Sequence, residues 1–325
     1  MNRRAASLAS VVIAVATLAG ACASQSGEAG RAALGALEPP STTTTATRPA
    51  TTTTTDPNCN DQNARDSLAA SELYPLDQMP PDSVMAAIQQ RGHLIVGIDE
   101  NTPRLAARDR NGEIRGFEVD LVRAIAAAIT GSPDNVVFKT VVTAEKNQVV
   151  ADGTVDLTAS ADSINCERKA LVDFSEEYYQ AEHKLLVRSD SDIQGVADLA
   201  GHTVCVTAGS SSVKLLQEQA PRAKALEVPA RTDCLLALQQ GEADAYLGHD
   251  IFLRGMKDQD PLTRILPDSL KDQHYGIAIS QEHPELVQFV NAVLERMRAD
   301  GTMDRLTHCW LREDAPAVPA SGCGT

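Results

Sequence analysis

No Cys-x-x-Cys and no paired-histidine spacing occurs in this chain, despite seven cysteines and seven histidines. The arrangements that hold structural zinc are therefore missing, and neither a metal nor a cofactor is expected. Nor is there an excess of positive charge, since 29 Lys and Arg face 44 Asp and Glu for a net charge of -15. That balance argues against nucleic acid as a partner and against attraction of anions by the whole surface, so an anionic ligand must be drawn by a local field. Long apolar runs are lacking too. The run over residues 5–18 is shorter than the ~20 residues a spanning helix needs, and Ser7, Ser10 and Thr17 interrupt it.

That run follows Met1-Asn2-Arg3-Arg4 and ends at Ala19-Gly20-Ala21-Cys22, the pattern of a secretory signal with a lipidation cysteine. Residues 1–21 are expected to be a cleaved signal peptide, and Cys22 to carry the lipid that holds the protein on the outer face of the bacterial cytoplasmic membrane. Residues 22–58 contain the threonine runs 42–45 and 51–55, several prolines and few large apolar groups. Such a segment cannot bury enough surface to offset its ordering entropy and reads as a disordered tether. With Cys22 set aside, Cys59, Cys166, Cys205, Cys234, Cys309 and Cys323 remain. An even count outside the cytoplasm argues for three disulfides, although six thiols allow fifteen pairings. Cys205 ends an expected strand and Cys234 opens an expected helix of the same half, which favours Cys205–Cys234. Cys309–Cys323 would pin the C-terminal tail, residues 313–325, and Cys59–Cys166 would tie down the end of the tether.

The remaining chain alternates strand and helix. Leu94-Ile95-Val96-Gly97-Ile98 is a short apolar run; Val119, Val122, Ile125, Ala126 and Ile129 recur at helical spacing and stop at Gly131; residues 136–141 return to strand character. The pattern repeats with residues 203–206, 213–220 and 225–228, and Gly153-Thr154-Val155-Asp156-Leu157 is echoed by Gly241-Glu242-Ala243-Asp244-Ala245. Two similar α/β lobes are expected. Leu286, Phe289, Val290, Val293, Leu294 and Met297 form the stripe of a core-facing helix.

Ser163-Ile164-Asn165-Cys166-Glu167-Arg168 sets an arginine in a polar turn and runs on to Asp173-Phe174-Ser175 and Tyr178-Tyr179. A guanidinium keeps its charge and offers a planar fork of donors, so Arg168 can grip a small carboxylate. This turn is joined in order by Arg91-Gly92-His93-Leu94-Ile95-Val96-Gly97, Gly116-Phe117-Glu118-Val119-Asp120, Asp198-Leu199-Ala200-Gly201-His202 and Arg298-Ala299-Asp300-Gly301-Thr302. On these segments residues 91–311 resemble the extracytoplasmic solute-binding proteins of polar amino-acid ABC uptake systems, family 3, of the glutamine- and glutamate-binding lipoprotein type.

The resemblance implies a two-lobed α/β fold of the periplasmic-binding-protein type II, each lobe a mixed sheet flanked by helices and joined by two crossover strands. The boundaries it implies are an N-terminal extension at 59–90, a first lobe at 91–187 plus 280–312, and a second lobe at 188–279. Arg168 would hold a ligand carboxylate with Ser163 and the adjoining Asp162. Ser210 and Ser211 would add backbone N–H groups from a helix start, where the dipole also favours an anion. The ammonium partner is expected at His249 or Asp250, where relatives carry an aspartate, with Asp99 and Glu100 as further candidates. The aromatic lid of relatives is missing from Thr102-Pro103-Arg104-Leu105-Ala106-Ala107. Lys146 would face the ligand side chain, pointing to glutamate, aspartate or their amides. The implied function is that of a monomeric, non-enzymatic receptor that presents a polar amino acid to an ABC permease. A sensor subunit for a membrane partner, a cyclohexadienyl-dehydratase-like enzyme using His249 with Asp250 or Glu167, and a carboxylated ligand that is not an α-amino acid are the competing readings.

Overall fold

A computed structural model describes residues 57–312 and Cys323. The expected signal peptide, Cys22, nearly all of the tether, and the tail apart from Cys323 lie outside the described residues. Among the described residues no helix is long and apolar enough to cross a membrane.

The chain runs through α1 (Val84–Arg91), β1 (Leu94–Ile98), β2 (Asn101–Thr102), β3 (Ala106–Arg108), β4 (Ile114–Arg115), α2 (Phe117–Thr130), β5 (Val136–Thr140), α3 (Lys146–Ala151), β6 (Leu157–Thr158), α4 (Cys166–Lys169) and β7 (Asp173–Phe174). It continues through β8 (Tyr179–Arg188), β9 (Thr203–Thr207), α5 (Ser211–Gln219), β10 (Lys224–Val228), α6 (Arg231–Gln240), β11 (Ala245–His249) and α7 (Asp250–Gln259). The last elements are β12 (Thr263–Ile265), β13 (Lys271–Tyr275), β14 (Ala278–Ile279), α8 (Pro284–Ala299) and α9 (Thr302–Trp310).

Two mixed sheets organise these elements. The first has the order β5-β1-β6-β14-β7, and the second β10-β9-β11-β8-β12 with β13 also on β8. In each, the central strands are parallel, as βαβ crossovers require, while β14 and β8 run antiparallel to their neighbours. The chain changes sheets between β7 and β8 and returns between β13 and β14. This corrects the expected lobe boundaries. All of β8, placed by sequence in the first lobe up to residue 187, pairs with strands of the second sheet. The apolar run Leu185-Leu186-Val187 is a central strand: Leu185 and Val187 pack on one face of the sheet and Leu186 on the other, the alternation expected of a strand covered on both sides. Ala278 and Ile279, placed in the second lobe, belong to the first sheet.

The stripe of α8 packs with α1, α2 and α9 in the first-lobe core through residues such as Phe289, Ile88, Leu121 and Trp310. Gly131 ends α2 in the left-handed conformation at φ +82°, which costs a glycine little. The N-terminal extension is part of this lobe, because Asn291 of α8 donates to Ser67 Oγ and to the Leu68 carbonyl at 2.9 and 2.7 Å. Disulfides join Cys59 to Cys166, Cys205 to Cys234 and Cys309 to Cys323.

Candidate ligand-binding cleft

The site lies where the turns after β6 and β9 and the end of β11 face one another, as ligand sites do at strand ends in open α/β sheets. On the first-lobe wall the chain leaves β6 through Ala161, a non-glycine residue at φ +48°. That conformation costs about 1–2 kcal/mol and persists only where neighbours enforce it. Here Glu118, buried in the first turn of α2, accepts the Ala161 N–H at 2.6 Å and also the Tyr178 hydroxyl. Burial pushes the Glu118 carboxyl above its ordinary range.

Asp162 follows, fully buried, with Lys146 Nζ at 3.1 Å and Arg168 Nη1 at 2.8 Å as its ionic partners. Lys146 opens α3 and is 1% exposed, and its ammonium donates to the Ser160 and Ala161 carbonyls at 2.9 and 3.3 Å. Burial draws its pKa down to about 7, against the opposing pull of Asp162. Asn165 caps α4 by accepting the Arg168 N–H at 2.9 Å, which fixes the backbone from which the Arg168 side chain turns inward. The guanidinium donates to the Ser163 carbonyl at 2.9 Å and crosses to the Gly209 carbonyl of the second lobe at 3.1 Å.

The second-lobe wall begins at Gly209, whose φ of +71° and 2.6 Å clearance between an added Cβ and Ala144 Cα leave no room for a side chain. Ser210 then starts α5. Ser211 Oγ lies 3.4 Å from Ser163 Oγ across the cleft and 3.3 and 3.2 Å from Nε2 of His183 and His249. Those two nitrogens are 3.1 Å apart, because His249 of β11 and His183 of β8 are directly paired in the sheet. Tyr275 OH bonds His249 Nδ1. Burial lowers both imidazoles, His183 to about 4 and His249 well below its ordinary value, so both are neutral at pH 7. Thr143 and Ser210 present buried hydroxyl oxygens with no hydrogen-bond partner among the described residues, groups a bound solute can satisfy.

Arg168, Ser163, Ser210, Ser211, His249 and Lys146 all line this cleft, and Asp162 lies directly behind it. Two further expected residues, Asp250 and Asp99, also fall outside the lining. Asp250 accepts from the Glu182 N–H at 3.0 Å and pairs with Arg254 at 2.6 Å, one turn along α7. His249 ends a strand and Asp250 starts a helix, so their side chains leave the backbone on different sides. Asp99 forms a buried ion pair with Arg231, which removes it as a free ammonium partner. Arg231 itself, with Phe252, is what the sequence reading missed. It opens α6 immediately beyond β10, donates to Thr102 Oγ1 at 3.1 Å, and lies 4.4 Å from the centre of the Phe252 ring. The 102–107 loop contributes no aromatic; it forms part of the small β2-β3-β4 sheet, and Arg104 at φ +74° reaches Asp258 of α7 at 2.8 Å. Among the described residues no three His, Cys, Asp or Glu side chains converge as metal ligands.

Comparison with known proteins agrees with this architecture. The ABC transporter glutamine-binding protein GlnH of Bacillus subtilis (strain 168) is 32% identical over 232 residues, covering 71% of this chain and 85% of that protein. The glutamate-binding protein GluB of Corynebacterium efficiens is 30% identical over 251 residues, covering 73% and 84%. Among solved structures, the ancestral amino acid-binding protein AncCDT-1, a precursor of cyclohexadienyl dehydratase, superposes with a TM-score of 0.66 at 29% identity, covering 71% of this chain and all of that one. The sequence profile of the bacterial extracellular solute-binding proteins, family 3, matches residues 94–313, and the chain belongs to that family.

Proposed function

We propose that this protein is the lipid-anchored receptor of an ABC uptake system, a monomer that captures a small carboxylated solute by closing its two lobes and presents it to the permease. The relatives named for glutamine and glutamate make polar amino acids the first class to test, glutamate, glutamine, aspartate and asparagine foremost. One observation carries the reading. Arg168 is placed by its cap and by Asp162 in the cleft wall, with its guanidinium reaching across to the opposite lobe at Gly209. A carboxylate seated there touches both lobes, and only contacts of that kind shift an open-closed equilibrium.

The reading is of a binder, not a catalyst. The imidazoles that would serve as proton donors are buried against each other and against Tyr275, and burial holds them neutral. The experiment is calorimetry on Arg168→Ala. Losing the charged partner of a desolvated carboxylate costs about 2–5 kcal/mol, so affinity should fall roughly 30-fold or more. Unchanged affinity for the same solute would refute the assignment.

A further inference from the structure

We infer that the solute is a carboxylic acid without an α-ammonium group, a dicarboxylate or 2-oxo acid held between the guanidinium groups of Arg168 and Arg231. This rests on the cleft being the binding site, as proposed above, and narrows what the cleft accepts.

The side chains that line the cleft include three cations, Lys146, Arg168 and Arg231, and no carboxylate. Every acid nearby is already committed. Asp162 is fully buried outside the lining and shared by Lys146 and Arg168, and Asp99 is paired with Arg231. Glu118 is taken by Tyr178 and the Ala161 N–H, and Asp250 by Arg254 and the Glu182 N–H. At the end of β11, the strand terminus that faces the cleft, stands His249. Its Nδ1 is bonded to Tyr275 and its Nε2 is shared with His183 and Ser211, so it offers a neutral surface with no charge to give an ammonium. An α-amino acid would place its ammonium against the basic groups Lys146, Arg168 and Arg231, whose paired acids Asp162 and Asp99 lie outside the lining, with no unpaired carboxylate to meet it, and a desolvated cation without an anionic partner is costly. A ligand with acid groups at both ends meets the opposite situation. One carboxylate is met from the first lobe by Arg168 and the other from the second lobe by Arg231, whose planar forks suit carboxylates. The unpartnered hydroxyls of Thr143 and Ser210 and the Ser211 hydroxyl serve the remaining oxygens.

Matched pairs test this directly, because glutarate differs from L-glutamate, and succinate from L-aspartate, only by the ammonium. Calorimetric titration of the full chain, freed of endogenous solute, should give affinities at least tenfold tighter for the better dicarboxylate, or for 2-oxoglutarate, than for either amino acid. His249→Asp supplies the missing anion at the end of β11 and should reverse the order within each pair, while His249→Asn keeps the dicarboxylate preference. Equal or tighter binding of L-glutamate or L-aspartate by the unaltered protein overturns the inference whether or not the variants fold, and leaves the cleft receptor standing. Failure of every carboxylic acid to bind overturns both.

Discussion

Replacing Arg231 by alanine tests whether the protein holds its own lobes together. Arg231 is rooted in the second lobe at the start of α6, whereas its partners Asp99 and Thr102 follow β1 in the first. The pair therefore exists only while the cleft is shut. In that state the two side chains are 5% and 11% exposed, and truncating one member of such a pair leaves the other desolvated at about 3–5 kcal/mol. The cation–π contact with Phe252 does not enter this figure, because Phe252 lies on α7 of the same lobe and the contact survives opening. Nor does the loss fall on folding, since Asp99 regains water once the lobes part. It falls on closure, where it shifts the closed-to-open ratio by about two to four orders of magnitude. Spin labels on cysteines introduced at the exposed positions Val137, in the first lobe, and Leu236, in the second, report the separation. Ligand-free Arg231→Ala should show longer and broader distances than the unaltered protein, with little change in thermal midpoint. Unchanged distances together with a midpoint lowered by the full amount would show that the pair braces the fold and is not a latch.

Two further outcomes follow from the same geometry. Gly209→Ala should weaken solute binding at least tenfold while leaving stability within about 1–2 kcal/mol, the cost of a left-handed alanine, because the added methyl would lie 2.6 Å from Ala144 Cα only when the lobes meet; equal affinity by calorimetry would show that Gly209 does not limit closure. Burial holds His183 at about 4 in the folded state against about 6.5 unfolded, so the unfolded chain binds the extra proton between those values and stability falls as pH drops from about 6.5 to 4, by about 3 kcal/mol from this group. Urea unfolding at pH 7 and pH 4.5 should show that loss, and His183→Gln should reduce it; an equal loss in the variant would assign it elsewhere.

The parts of the fold legible in the sequence are those set by local periodicity. The spacing of Val119 through Ile129 with Gly131 behind it gave α2 to within two residues at its start, and the α8 stripe was equally plain. What periodicity cannot show is which side of a sheet junction a residue faces. His249 and Asp250 are neighbours in sequence, yet one closes the cleft floor and the other pairs with Arg254 behind it. Composition also misleads for Lys146, since a lysine opening a helix is ordinarily solvated, and the buried Asp162 carboxylate together with the Ser160 and Ala161 carbonyls makes its burial tolerable.

Arg231 was illegible for a different reason. In Ala230-Arg231-Thr232-Asp233 it looks like an exposed residue at a helix start, and its partner Asp99 lies 132 residues earlier. A charge pair closed over that distance leaves no local pattern, because its spacing is set by how the two sheets face each other and by nothing in either segment. The same long-range closure explains why Asp99 could not be seen from the sequence to be paired. Asp99 and Asp250 have the right chemistry for an ammonium, but each is paired with an arginine, Asp99 with Arg231, which only the fold brings to it, and Asp250 with Arg254 one turn along α7. Once both arginines are counted, no carboxylate lines the cleft of a chain with net charge -15. On the proposal made above, selectivity is decided by which acids are already paired, a property of the folded chain and not of the composition around the motif.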